Sequence, residues 1–477
     1  MSRFLFVVPP LVGHINPTIG VAAELTRRGH QVAWAGVPEL ITALAGPAAT
    51  VLPCAVPATT PAGRPTGEPP AVPATTPPGA PAGRPATTPP GAPAGRPADR
   101  PAGGSAGGPA ARPAGGPPSG PAGGPSVRDR PPDLRGPAAL QYLWQGFLCP
   151  LAEAMLPGVL AAAARFDPDV LVVDQQAIAG AIAAELTGRP WATSATTSAE
   201  LSGQLAGLSG VDGWVIDQLD GLRHRLAGPG PAGPDLRFSP YLVLVFSTTA
   251  LVGGELPAGK LAGAGAVRFV GPALTARPST VDFPWSFLDP ARPAVLVTLG
   301  TANAGAGGRF LAAAVDALAG RPRLQGVVVD PDGTVATPPG NVLVRPRVPQ
   351  LQLLPRLSAV VCHGGHNTVC EALDHGLPLV LAPIRDDQPI VTEQVLAAGA
   401  GLRLRFGRAT ATQIGSAVDA VLIDTGYAAA ARRVRDSFRA AGGAAAAAGH
   451  LETLARSDPI ARPVRGPAAP AGQRIMA

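Results

Sequence analysis

The chain has few aromatic side chains, 4% of its 477 residues, and little charge, 15%, and it holds a single lysine, Lys260. Arginine therefore carries nearly all the positive charge. Of the formal charge of +6, about +4 falls between residues 57 and 137, where eight Arg face four acidic residues. No basic helix or aromatic-interleaved basic patch accompanies that excess, which speaks against nucleic acid as a partner. Four cysteines, Cys54, Cys149, Cys362 and Cys370, are too few and too scattered for a disulfide framework, and Cys362 and Cys370 have no second pair at metal-ligand spacing. No stretch of about 18 or more apolar residues suggests a membrane span. The opening MSRFLFVVPP ends its apolar run in Pro-Pro, without the core of a signal peptide. The expectation is a soluble, cytoplasmic protein with reduced thiols.

Glycine and proline are abundant, 60 and 58 residues, but they are concentrated. ATTPPGAPAGRP at 74–85 recurs letter for letter at 86–97, and Pro/Gly/Ala tracts run on to about 137. Such a segment buries too little to offset the entropy of ordering it, so a disordered insert over 57–137 is expected.

On either side the text alternates strand and helix. RFLFVV (3–8), a helix from about Pro17 to Arg28 and QVAWAG (31–36) make a βαβ unit and imply a parallel sheet. After the insert, helical text to about Arg165 leads into DVLVVD (169–174), a helix over 177–186, and strands in RPWATSATT, YLVLVFST and VRFVGP. A second series starts at AVLVTLG (294–300). It continues through a helix at 308–319, LQGVVVD, NVLVRP, LSAVVCH (357–363), a helix over 366–375 and PLVLAP. The reading is α/β: a first domain of 1–56 plus 138–275, a second of 285–430, a helix over 431–456 returning to the first, and a loose tail, 457–477. Two doubly wound parallel sheets of this kind face a central cleft, where ligands of open α/β sheets bind.

VCHGGHNTVCEAL (361–373) turns a buried strand into a helix through His363, Gly364, Gly365 and His366. Glycines there let backbone N–H groups approach a ligand, and the helix start carries roughly +0.5 charge. With His363, Asn367 and Thr368 as further donors this suits an anion such as a diphosphate. Glu371, one turn on, shares the face of Asn367 and Thr368 and suits vicinal ribose hydroxyls. A tight turn capped by Asn367 or Thr368, with Glu371 solvated, is the alternative. His366, His30 and His375 have no assigned chemistry, the last two reading as helix-end residues.

RVPQLQLL (347–354) upstream and PIRDDQP (383–389) downstream complete a longer pattern. Together, Pro349, Gln350, His363, Gly365, Asn367, Thr368, Glu371, Asp387 and Gln388 resemble the nucleotide-sugar signature of the family 1 glycosyltransferases. The resemblance implies a GT-B fold of two Rossmann-like domains. It also implies a nucleotide-sugar co-substrate, UDP- or dTDP-linked, with no metal or other cofactor. His363, Gly365, Asn367 and Thr368 would hold the diphosphate, Glu371 the ribose, and Arg347, Val348 and Gln350 the nucleoside end. Asp387 and Gln388 would hold the sugar, and Thr301 in TLGTAN would lie at the β-phosphate. Arg347 stands where the family has a base-stacking Trp; its planar guanidinium suits a pyrimidine.

GHINP (13–17) follows the first strand, and a His on a βα loop there, with a pKa near ~6.5, suits proton transfer. The resemblance makes His14 the general base and Asp174, ending DVLVVD, the carboxylate that orients it; without Asp174 the preferred tautomer would be lost. The implied reaction is an inverting transfer to a hydroxyl of an apolar small molecule. The rival readings are a catalytically silent homologue acting as partner of another transferase, and another GT-B enzyme such as a lipid-linked sugar transferase or an epimerase.

Overall fold

The computed structural model describes residues 1–57, 134, 136–201, 210–230, 233–254, 261, 263–274, 281–300, 307–335 and 338–457. Almost all of the expected insert, the expected tail and Thr301 lie outside these residues.

Among the described residues, seven strands form the first sheet: β1 (Arg3–Val7), β2 (Gln31–Gly36), β3 (Val51–Pro53), β4 (Val170–Asp174), β5 (Trp191–Ala195), β6 (Leu242–Val245) and β7 (Ala266–Phe269). Six form the second: β8 (Ala294–Thr298), β9 (Gln325–Val329), β10 (Val342–Arg345), β11 (Ala359–Cys362), β12 (Leu379–Leu381) and β13 (Gly401–Arg403). The orders are β3-β2-β1-β4-β5-β6-β7 and β10-β9-β8-β11-β12-β13. Neighbouring strands in both sheets run parallel. Helices cover both faces, so β4, β5 and β8 are buried end to end; β4 and β8 read as apolar runs up to a polar last residue, whereas β5, WATSA, buries Thr193 and Ser194 as well. Each order reverses once, between β1 and β4 and between β8 and β11. Those switch points are where open parallel sheets leave a crevice beyond their carboxyl ends.

The first helix corrects the sequence expectation. It spans Val12–Arg27, with Pro17 inside it rather than at its start. Pro17 has no N–H to give the Gly13 carbonyl four residues back, a defect that normally disfavours interior proline. Here the Asn367 side chain supplies the missing donor to that carbonyl at 2.6 Å.

The helical text after the insert begins at Gly136–Gln141, passes through a π-helical stretch at Tyr142–Leu148 and continues as Cys149–Phe166. Ala138–Phe166 is long and apolar enough to cross a membrane, although Gln141, Gln145 and Glu153 interrupt it as a run. Its Trp144, Phe147, Leu151, Met155 and Val159 pack in one core cluster with Leu5, Val7, Leu171 and Val173 of β1 and β4. That burial accounts for its composition.

The expected single returning helix over 431–456 is two helices. Thr425–Ala441 packs on the second sheet through Ala430, Ala431, Val434 and Phe438. Gly442, at φ 86°, breaks it, and Gly443–Arg456 crosses back to the first sheet. There Ala447, Ala448 and Leu451 join Phe4, Val21 and Leu25. His30 is not a simple helix-end residue: its Nδ1 accepts the Ser2 N–H at 3.0 Å and its Nε2 meets Glu452 at 2.9 Å. It ties the first strand to the returning helix.

Candidate active site at the two switch points

β1 ends at Val7 and β4 at Asp174, side by side in register through Val7 and Val173. The helix after β1 starts at Val12, so His14 lies in its first turn rather than on a loop. There its Nδ1 reaches Asp174 Oδ1 at 2.9 Å. Asp174 is wholly buried and takes the Gln176 backbone N–H on the same oxygen at 2.9 Å, while His14 stays 16% exposed. Burial is the largest influence on the imidazole and works against its proton. The charge of Asp174, its hydrogen bond and the charge of Asp387 together outweigh burial and raise the His14 pKa above its ordinary value.

In the second half, β8 and β11 lie in register with Thr298 opposite Cys362, so Gly300 and His363 leave the sheet together. The His363 ring is bedded between glycines: a Cβ on Gly300 would sit 2.6 Å from its Cε1, and one on Gly365 would run into its Nε2. Burial pushes the His363 pKa down to about 4, against a hydrogen bond with the Thr298 backbone, so the ring is neutral near pH 7. Its buried Nδ1 has no hydrogen-bond partner among the described residues. Gly365 caps the helix His366–Asp374 without a side-chain acceptor, leaving the uncapped positive end of the dipole beside His363.

The remaining expected residues gather around this helix. Gln350, at the start of the short helix Gln350–Leu353, donates to Glu371 Oε2 at 2.6 Å, so two groups expected on the nucleoside are in contact. Arg347 is exposed and Val348 half-buried just upstream, and Thr368 is half-buried on the helix's first turn. Gln388 turns its oxygen inward to the Ile384 and Arg385 N–H groups, at 2.9 and 3.0 Å, and so anchors its own turn. Asp387 precedes the helix Gln388–Ala397 and faces the first half. Burial pushes its carboxyl up, opposed by a hydrogen bond from Thr197 at 2.7 Å.

Sequence reasoning passed over the loop after β5. Thr196 donates to Asp174 Oδ2 and lies 2.8 Å from both that oxygen and His14 Nδ1. Ser198 donates to Gln394 at 2.7 Å and lies 3.3 Å from His366 Nδ1. His366 Nε2 in turn is 3.3 Å from the Phe246 carbonyl, and burial holds this imidazole's pKa at about 4. His366, left without a role by its sequence, thus bridges the halves. Thr-Thr-Ser has no spacing signature, and only the fold shows what each hydroxyl reaches. Where Asn16, Pro17 and Phe246 meet Asn367 and Glu371, a small cavity of about 20 Å³ has room for a water.

Residues 328–454 match the family described as erythromycin biosynthesis protein CIII-like, C-terminal domain. The 4'-demethylrebeccamycin synthase of Lentzea aerocolonigenes is 31% identical over 62% of this chain and 75% of its own. The demethyllactenocin mycarosyltransferase of Streptomyces fradiae is 34% identical over 39% of this chain and 40% of its own. Among solved structures, the calicheamicin glycosyltransferase CalG4 superposes with a TM-score of 0.64 at 21% identity, over 96% of this chain and all of that one. The spinosyn rhamnosyltransferase SpnG, complexed with thymidine diphosphate, does so at 0.61 and 20%, over 95% of this chain and 100% of its own. With its two parallel sheets and its motif in the second of them, the chain belongs to the natural-product glycosyltransferases of family 1 and has their GT-B fold.

Proposed function

We propose that this glycosyltransferase moves a sugar from a UDP- or dTDP-linked donor to a hydroxyl of an apolar natural product, with inversion at the anomeric carbon. The observation that carries the reading is the His14–Asp174 pair at the first switch point, with Asp387 close enough to act on His14 electrostatically. His14 Nε2 takes the acceptor's proton. The freed oxygen bonds to the anomeric carbon as that carbon's bond to the diphosphate breaks, and the diphosphate leaves with the electron pair. The leaving charge meets the N-terminus of the helix His366–Asp374, the His363 ring and Thr368. Asn367 joins them once it releases Gly13. Glu371 and Gln350 take the ribose and nucleoside end, Arg347 and Val348 the base, and Asp387 with the Gln388 amide the sugar. In this reading no metal ion takes part.

Thymidine diphosphate is what SpnG holds, which favours testing dTDP-sugars beside UDP-sugars. The experiment is a panel of both donor classes against hydroxylated natural products, read by mass, with the product's anomeric configuration read by NMR. Retention of configuration contradicts inversion. No transfer together with no donor-induced thermal shift replaces the reading with the silent homologue.

A further inference from the structure

We propose that Thr196 is a positioning residue that fixes the tautomer of His14, holding the hydrogen on Nδ1 and presenting Nε2 bare to the acceptor. The inference rests on the reading of His14 as the general base and says how that base is kept in its working form.

The argument is one of hydrogens. The Thr196 hydroxyl has a single hydrogen, which goes to Asp174 Oδ2 at 2.8 Å. With that hydrogen committed, Oγ1 presents lone pairs to His14 Nδ1, also at 2.8 Å. Asp174 Oδ1 faces the same nitrogen at 2.9 Å. Two acceptors converge on Nδ1, so Nδ1 carries the hydrogen, which is shared between them. A bare Nδ1 would instead set its lone pair against a carboxylate oxygen. Asp174 alone, with one oxygen on the ring and a rotatable carboxyl, leaves the ring freer to tilt; Thr196 bonds both partners and closes a three-membered cycle.

What holds Thr196 in place lies across the cleft. The next residue, Thr197, donates to Asp387 at 2.7 Å, and Ser198 donates to Gln394 at 2.7 Å. Three successive hydroxyls thus address the base pair, the carboxylate proposed to hold the sugar, and the helix behind it. The loop that orients the base is thus anchored to the second half. The charged and titratable groups acting on His14 are Asp174 from the end of β4, Asp387 from the loop before the helix Gln388–Ala397, and His366 from the helix His366–Asp374.

The test is imidazole ¹⁵N NMR of the full chain, with the His14 signals assigned by their loss in His14→Ala. In the wild type, Nε2 is expected to be the bare, pyridine-like nitrogen at high pH. Thr196→Val keeps the shape and removes the hydroxyl. It should show mixed tautomers and a His14 titration midpoint lower by about one pH unit, the size of one lost hydrogen bond to the charged ring. Thr196→Ser should restore both. Affinity for dTDP or UDP should be unchanged in both variants, a control for folding. Wild-type His14 with its hydrogen on Nε2 overturns the proposal, and that spectrum needs no variant to fold. Thr196→Val with a wild-type tautomer and midpoint overturns it as well. Failure of the underlying reading is a separate result: His14→Ala turning over at the wild-type rate.

Discussion

Asn367 donates its side-chain amide to the Gly13 carbonyl at 2.6 Å, and Gly13 is the residue whose helical donor Pro17 lacks. One hydrogen bond therefore mends a defect in the first helix, is one of those that join the two halves, and occupies a side chain proposed to face the donor diphosphate. In the proposed reading, donor binding would compete with this contact for the same amide.

Asn367→Asp should weaken UDP or dTDP binding by about 10–100-fold, because it replaces a donor to a charged group with a like charge. Gly13→Ala tests the other side: its Cβ would lie 3.2 Å from Asn367 Nδ2 and should loosen the closed contact with a smaller effect. Calorimetric titration with the nucleoside diphosphates checks both. Equal affinities in wild type and Asn367→Asp would remove Asn367 from the donor site.

His14→Ala should lose about 10²–10⁴-fold in turnover with donor affinity retained. His14 must be neutral to act, and its pKa is raised, so activity should climb with pH through a midpoint above 6.5. Asp387 is one of the charges that raise it. Asp387→Asn should therefore move that acid limb to lower pH even as it weakens the sugar contact. A limb that stays in place, or moves up, contradicts the coupling.

Stability should fall on acidification in a particular window. His363 and His366 are held at about 4, both chiefly by burial, whereas in the unfolded chain each titrates near 6.5. Between those values the unfolded chain binds protons that the folded chain refuses. The stability is complete above about pH 6.5 and is lost as pH falls toward 4, by on the order of 3 kcal/mol for each group. His14, with its raised pKa, acts in the opposite sense, adding stability at low pH that fades as pH rises through its folded value. Urea midpoints at pH 7.5, 5.5 and 4.5 measure the sum, and His366→Gln should flatten the dependence.

Chelation should leave turnover unchanged, because the proposed stabilisation of the leaving diphosphate uses the helix terminus and His363. Activity lost in EDTA and restored by a divalent cation would refute it.

Residues 58–130 contribute none of the proposed donor groups. Their deletion should leave dTDP and UDP affinity within about twofold of wild type; loss of folding on deletion would show that they do more than join 57 to 131.

The sequence by itself determined the central strands, because parallel strands covered on both faces are apolar along most of their length, as VLVVD and AVLVT are up to their last residue; the three-residue edge strands Val51–Pro53 and Gly401–Arg403 are too short to show such a run. It also showed that the strand ending at Cys362 turns into a helix through the glycines and donors of 363–368, which the structure places in the turn before His366–Asp374 and in that helix's first residues. Side chains that reach across the cleft were left to the tertiary structure. In the first turn of the first helix, the Gly13 carbonyl takes from Asn367 the hydrogen bond that Pro17 cannot make, a partner more than 350 residues away. The helix break at Gly442 separates two surfaces that only packing distinguishes. The bridging of His366 and the division of labour among Thr196, Thr197 and Ser198 are equally invisible in one dimension. A hydroxyl has no spacing rule, and what it bonds is decided by which groups the fold brings within 3 Å of it.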